Sequence, residues 1–443
     1  MVVDRRIIGR VWEIAWPLML ADSIDAVLWV TDTFFVSRLG DTALAAVGLA
    51  GYLSWLFFIG STAFLMGTLV LASQAYGARE YHKASRVASE SLTANVLAAC
   101  IAALMGFYVV EDTLTLLGGS ELVVSEGSGY FRVRVLGLPL LYAWTVYDSV
   151  FRAVGVTRPI LYSALVSATV NAVLDPLLIF GIGPLPSLGV RGAALASVIA
   201  AGLGLLMLVS FSRVLPFGVE PKRPGAWALK SAKVGIPALL ERLVFVGGNV
   251  AYVGSVARCG ELPLAAHTIG VRIESLAFLP MFSMATAAGA MVGQEVGAGR
   301  MLEARRVGWE ASKATALFGG LLGALIIALS PLIPGLFTET PEVERMARVY
   351  LIIAGLTEPA FGIAVGLAQS IRGAGNTVVP TIVNLGSLYA LRLVPSYTLP
   401  GILPREVCVL GPWISMGVDL VSRAALFALI YRRYFEALSR RLV

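Results

Sequence analysis

Asp25 and Asp32 stand seven residues apart in an apolar stretch near the N-terminus, with Asp22 about a turn earlier, so a helix there carries carboxylates on one face. Asn171 and Asp175 are four apart and share a face in the same way. Pro176 follows at once; it cannot donate its helical hydrogen bond, which frees the carbonyl of Ala172 one turn back. Carboxylates, an amide oxygen and a free carbonyl are hard oxygen donors, suited to Na⁺ or to a proton carried on a carboxyl group. An ionisable side chain at mid-bilayer costs about 2.5–3.5 kcal/mol on insertion scales, so each one requires a reason. Low dielectric disfavours the charged form, and Asp32 and Asp175 are expected to share protons as a coupled pair.

The second half of the chain is equipped differently. Glu241 sits beside Arg242, Arg272 is two residues before Glu274, Glu358 precedes Pro359, and Asp419 and Arg423 have i,i+4 spacing. Local opposite charges of this kind are expected to pair structurally, as Asp419–Arg423 and Arg272/Glu274. Glu241 is the best candidate there for an acid facing a substrate. Trp29, Tyr252, Phe278 and Met281, with Trp55 and Phe58, are candidate linings of an apolar cavity for lipophilic cations, because aromatic faces attract positive charge. Cys100, Cys259 and Cys408 show no pairing or metal spacing.

These residues lie in a chain that is 57% hydrophobic and only 14% charged, values of a membrane protein. Spans of about 20 apolar residues are expected near 11–36, 43–74, 87–110, 128–151, 160–181, 190–212, 228–257, 264–293, 307–337, 346–370, 379–400 and 410–431. The chain also matches itself at a shift of 220 residues: Pro17 on Pro237, Gly40 on Gly260, Arg86 on Arg306, Glu90 on Glu310, Tyr130 on Tyr350, Gly155 on Gly375. Two six-helix lobes in parallel orientation follow, an N-lobe at 1–215, a cytoplasmic linker at 216–227 and a C-lobe at 228–443. The fold class expected is an all-α polytopic membrane protein. Basic residues crowd alternate loops (Arg5, Arg6, Arg79, Lys83, Lys222, Arg223, Arg305, Arg432), while Arg38, Arg191, Arg258 and Arg405 fall on the other side. Both termini are therefore expected in the cytoplasm of a cell whose plasma membrane the chain crosses. The net charge of +6 is spread over inner loops without a DNA-binding motif, which argues against nucleic acid. With His82 and His267 the only histidines, and no metal-ligand cluster or nucleophile–base motif, no enzyme activity and no cofactor are expected. A proline inside a span kinks it, and Pro17 is a candidate hinge.

Several runs resemble the multidrug and toxic compound extrusion (MATE) transporters over essentially the whole chain. They are Ala15-Trp16-Pro17, Asp32-Thr33-Phe34, Arg152-Ala153-Val154-Gly155, Asn171 through Pro176, Gly181 through Pro186, Gly189 through Ala194, Arg272 through Leu276, Val292-Gly293-Gln294 and Arg372-Gly373-Ala374-Gly375. The resemblance implies a V-shaped antiporter of twelve helices, exporting small cationic lipophilic substrates and drugs by alternating access in exchange for H⁺ or Na⁺. It implies a monomer surrounded by membrane lipid. The acidic N-lobe is similar to the DinF-like branch, whose ion-coupling positions match Asp32, Asn171 and Asp175 and whose bending proline matches Pro17. Two departures stand out. The branch often has a hydroxyl residue near the start of span 6, where this chain has Arg191, which favours protons over a full Na⁺ site. Asp25 replaces a neutral polar residue and is expected to join the proton site. The rival implied by the wider superfamily, a flippase for lipid-linked sugars, needs basic cavity residues, for which Arg242, Arg272 and Arg392 are the candidates.

Overall fold

The computed structural model describes residues 4–181, 186–404 and 407–443. Residues 182–185, inside the matched run from Gly181 to Pro186, and Arg405 lie outside the described residues. The described chain is helical, without strands, in the order α1 (Arg5–Ser37), α2 (Asp41–Ile59), α3 (Thr62–Gly77), α4 (Tyr81–Leu116), α5 (Glu121–Leu136), α6 (Leu138–Val154), α7 (Arg158–Phe180), α8 (Val190–Phe211) and α9 (Ala226–Ala257). Then follow α10 (Glu261–Gly297), α11 (Met301–Leu329), α12 (Pro341–Gly373), α13 (Val378–Ser387), a π-helical stretch (Leu388–Leu393), α14 (Val394–Thr398) and α15 (Leu410–Leu438). Eleven segments among the described residues are long and apolar enough to cross a membrane. The remaining expected span, 128–151, is built from α5 and α6, of 16 and 17 residues, which meet at Gly137 just before Pro139. Neither alone reaches across about 30 Å of hydrocarbon, so the pair serves as the twelfth span.

The internal repeat survives as backbone geometry. Gly40 and Gly260 precede α2 and α10 with φ of 103° and 118° and nearly extended ψ of 172° and 175°, a region open essentially to glycine alone. Gly155 and Gly375 repeat at φ 86° and 92°. Arg79 and Gly299 repeat at φ 60° and 75°, although only one of them is glycine.

The compact units do not coincide with the sequence halves. One consists of residues 17–239 and the other of 1–16 together with 240–443. The lobes expected at 1–215 and 228–443 are displaced because α1 and α9 change unit beside Pro17 and Pro237, which lie within these helices. In the 17–239 unit, a Cβ on Gly235 would lie 1.7 Å from the carbonyl oxygen of Ala63, so the start of α9 is pressed against α3. The expected linker is part of this packing: Leu215, Phe217 and Val219 are buried, Ser85 donates to the carbonyl of Gly218 at 2.7 Å, and the amide of Glu220 donates to Ser89 at 3.1 Å. The core of the unit gathers Val36, Ala99, Leu114, Phe131, Tyr142, Ile179 and Ala194. In the other unit, Tyr350, Trp413, Met281, Ala285 and Leu351 are at the centre.

The cysteines are a correction. Cys259 and Cys408, 149 residues apart, form a disulfide with Cα atoms 5.7 Å apart, joining the end of α9 to the approach to α15; Cys100 is free. Sequence spacing gave no hint because helix packing, not local sequence, brings the two together. Reduction is expected to lower stability by about 2–4 kcal/mol, seen as a lower thermal midpoint in detergent. Peptide mapping without reductant should recover the two cysteines on one linked peptide pair.

Candidate functional site

In the 17–239 unit the acidic residues separate into two clusters. The first joins α1, α7 and α8. Asn171 and Asp175 are completely buried on α7, with the amide of Asn171 donating to Oδ1 of Asp175 at 3.3 Å. The carboxyl groups of Asp32 of α1 and Asp175 lie close enough to interact with each other. Ser197 of α8 donates to Oδ2 of Asp32 at 3.4 Å while also donating to the carbonyl of Ala193 at 3.1 Å. Oδ1 of Asp32, Oδ1 of Asn171 and Oδ2 of Asp175 are buried without hydrogen-bond partners. Unpaired buried acceptors are costly, and three together form a set that a proton or a small hard cation would satisfy. Tyr130 and Arg134 of α5 are close enough to interact electrostatically with Asp32.

Helix grammar explains the placement. Four-residue spacing puts Asn171 and Asp175 on one face of α7, and Pro176 removes a backbone donor beside them. Gly181 then ends α7 in a left-handed conformation. An open pocket of about 390 Å³ adjoins the cluster, lined by Ser23, Val27, Thr31, Thr169, Asn171 and Ala172 among others. No group of three or more His, Cys, Asp and Glu side chains able to hold a metal occurs among the described residues. Any Na⁺ here would instead use two carboxylates, the Asn171 amide oxygen and the Ser197 hydroxyl, with the freed carbonyl of Ala172 nearby.

Ser197 carries no signal in the sequence, where the hydroxyl expected near the start of the sixth span is replaced by Arg191. Arg191 is exposed and lies across Gly129, where a Cβ would come 2.5 Å from Nε. The hydroxyl is supplied one and a half turns further along the same helix.

Asp25 does not join Asp32 and Asp175. It interacts with Asp22, Asp148 and Arg152 in the second cluster, where Nε of Arg152 donates to the buried Asp148 at 2.7 Å. Seven residues of helix rise about 10 Å, too far for Asp25 and Asp32 to serve one site.

The other unit holds Glu241 and Asp419 in ion pairs. Glu241 accepts twice from Arg372, at 2.8 and 2.6 Å, and also accepts from Thr381 and Asn384 at 2.8 and 2.7 Å. Asp419 accepts from Arg392 at 2.9 Å, from Arg423 at 2.7 and 2.5 Å, and from Ser387. Glu274 accepts from Tyr350 rather than pairing with Arg272, which is exposed. Glu358 is buried with neither oxygen hydrogen-bonded.

Of the residues expected to line a cavity, Tyr252 and Met281 are in the hydrophobic core, and Phe278 packs its ring 4.5 Å from that of Phe361. Trp29 is 72% exposed, and its neighbours Leu28 and Thr31, not Trp29 itself, line the pocket. Of the basic candidates for a pyrophosphate, Arg392 is held by Asp419, and Arg242 is exposed like Arg272.

Comparison with known proteins places these features in a family. The MatE family model matches residues 17–177 and again 237–398, once in each repeat. The Thermotoga maritima protein named "Probable multidrug resistance protein NorM" is 28% identical over 435 residues, covering 95% of this chain and 91% of its own. "Probable multidrug resistance protein YoeA" of Bacillus subtilis is 26% identical, covering 90% of this chain and 88% of its own. Among solved structures, the Vibrio cholerae MATE transporter VcmN in its bent form has the same fold, with a TM-score of 0.90 at 21% identity over 98% of both chains.

Proposed function

The chain belongs to the MatE family, and on that premise we propose that it is a secondary active antiporter exporting organic cations and drugs in exchange for H⁺ or Na⁺. The observation that carries the coupling is the cluster of Asp32, Asn171 and Asp175, with three unpartnered buried oxygens beside an open pocket. Occupied by a proton or Na⁺, the cluster carries one negative charge fewer; emptied, it regains that charge, which the low-dielectric interior disfavours. Helices α1, α7 and α8 therefore pack differently in the two states. An ion shifts such an equilibrium only through its unequal affinity for the states. Pro17 supplies the weakest point of α1, the helix that brings Asp32 to the cluster.

The names of the two multidrug resistance relatives support drugs as substrates, and the acidic N-terminal repeat supports the DinF-like branch. A mostly apolar pocket wall beside an acidic cluster is suited to lipophilic cations. The ion pairs of Glu241 and Asp419 leave the 240–443 segment without free cationic groups at these sites, which weighs against a flippase holding a pyrophosphate. Cytoplasmic termini in a plasma membrane are supported by the basic loops and by the disulfide, since Cys259 and Cys408 lie at the end of α9 and the start of α15, opposite the basic loops, where an oxidising compartment would be.

The test is efflux of a fluorescent lipophilic cation from proteoliposomes under an imposed H⁺ or Na⁺ gradient. Cation movement that dissipates one of the gradients is the expected result. No gradient-driven cation movement, with a lipid-linked sugar translocated instead, would favour the flippase.

A further inference from the structure

Two glutamates, 220 residues apart, do the same work at the starts of α1 and α9, the helices that carry Pro17 and Pro237. Glu90 on α4 is buried, and its Oε2 accepts from the backbone amides of Trp227 at 2.9 Å and Ala228 at 3.3 Å, in the first turn of α9. Its Oε1 accepts from Arg86 at 2.9 Å. Glu310 on α11 accepts at Oε2 from the backbone amide of Asp4 at 3.3 Å, just ahead of α1, and at Oε1 from Lys313 at 2.7 Å. The first amides of a helix have no partner inside it and carry partial positive charge, so a carboxylate there satisfies both needs.

The chain connectivity gives these contacts a consequence. Residues 4–16 pack in the unit that contains α11, and residues 226–239 in the unit that contains α4, while the remainder of α1 and α9 belongs in each case to the other unit. Both initial segments have a second point of attachment. Nη2 of Arg10 donates to Gln294 at 2.8 Å, and the hydroxyls of Thr68 and Ser231 are 3.3 Å apart. Two anchors within a few turns fix a segment in direction as well as position.

We infer that Glu90 and Glu310 are paired positioning residues for transport, holding the first segments of α9 and α1 as fixed ends against which Pro237 and Pro17 bend. The inference rests on the transporter reading. Each glutamate is stationary with the unit it belongs to, and each proline marks where its helix leaves that unit. A helix whose start frays cannot transmit a bend, because motion beyond the proline is lost as disorder ahead of it.

The test combines amide hydrogen exchange with efflux in the same proteoliposomes, using the wild type, Glu90→Ala, Glu310→Ala and the corresponding Gln variants. Glu90→Ala should speed exchange of the amides at 227 and 228 about fivefold, the size of a lost helix cap, and Glu310→Ala should do the same ahead of α1. Exchange around Tyr350 and Phe131 should stay at the wild-type rate. Efflux should fall severalfold with substrate affinity unchanged, and the Gln variants, which keep an acceptor oxygen, should recover much of it. Unchanged protection at 227 and 228 would overturn the inference, as would faster exchange throughout the protein or local fraying with wild-type efflux. If the wild type itself moves no cation, the transporter reading falls and with it the positioning role, while the exchange rates still decide whether the glutamates hold the helix starts.

Discussion

Asp175→Asn should reduce gradient-driven efflux to the leak rate, a loss of about two orders of magnitude or about 3 kcal/mol of ion binding, while stability is unchanged or higher. The two effects separate for a physical reason. Asp175 is wholly buried, and its Oδ2 has no hydrogen-bond partner. An amide of the same shape relieves the desolvation of that group and keeps the contact with Asn171, so the fold loses nothing. What disappears is the capacity to take up and release a cation. Asp32→Asn should act in the same direction, and the double variant should be little worse than either single one, since both residues serve one site. Asp25→Asn is the control: it belongs with Asp148 and Arg152, so its effect on ion dependence should be much smaller. Efflux assays and thermal scans on the same preparations check all four variants. Wild-type transport by Asp175→Asn would remove the cluster from the mechanism.

The second large effect is expected to be on stability. Asp419→Asn leaves Arg392 and Arg423 side by side in the interior without their carboxylate, a change that costs about 3–5 kcal/mol when a buried pair is broken from one side. Asp419 is completely buried and accepts from both guanidinium groups and from Ser387, so no solvent is at hand to replace it. A thermal scan in detergent should show the loss directly. Removing Arg423 together with Asp419, as Asp419→Asn/Arg423→Met, should recover part of it, because one stranded charge goes with its partner. Equal destabilisation by the single and the double variant would show that packing around α15, not charge, sets the effect.

The contrast between these two sites explains what could be read from the sequence. Asp32, Asn171 and Asp175 were legible because an ionisable or amide group in an apolar span is costly wherever it points, and four-residue spacing fixes a shared face without knowledge of the fold. The repeat was legible because its glycines and prolines are demanded by backbone conformation. Ser197 was not, since a hydroxyl on a helix of small residues usually bonds its own preceding turn, as it also does here with Ala193. Only packing brings it to Asp32, 165 residues away in sequence. The same limit hid the disulfide and the partners of Glu241. Tyr252 and Met281 show the opposite limit: aromatic and sulfur-bearing side chains on a span suit a cavity lining by type, but their common use, as here, is to fill a core. The unit boundaries escaped as well, because α1 and α9 read as unbroken helices and nothing local tells which neighbours their first turns will choose.

Arg79 adds a historical dimension to the doubled scaffold. It is the one residue other than glycine among the described residues with positive φ, and its counterpart 220 positions on is Gly299, at almost the same angle. A side chain in that conformation is disfavoured by about 1 kcal/mol or more, so if the two halves descend from one duplicated ancestor, the torsion has outlasted the residue best suited to it. What the halves have inherited in common is then a path through dihedral space. Comparing duplicated membrane proteins by backbone torsion at their turns should reveal kinship after residue identity has faded.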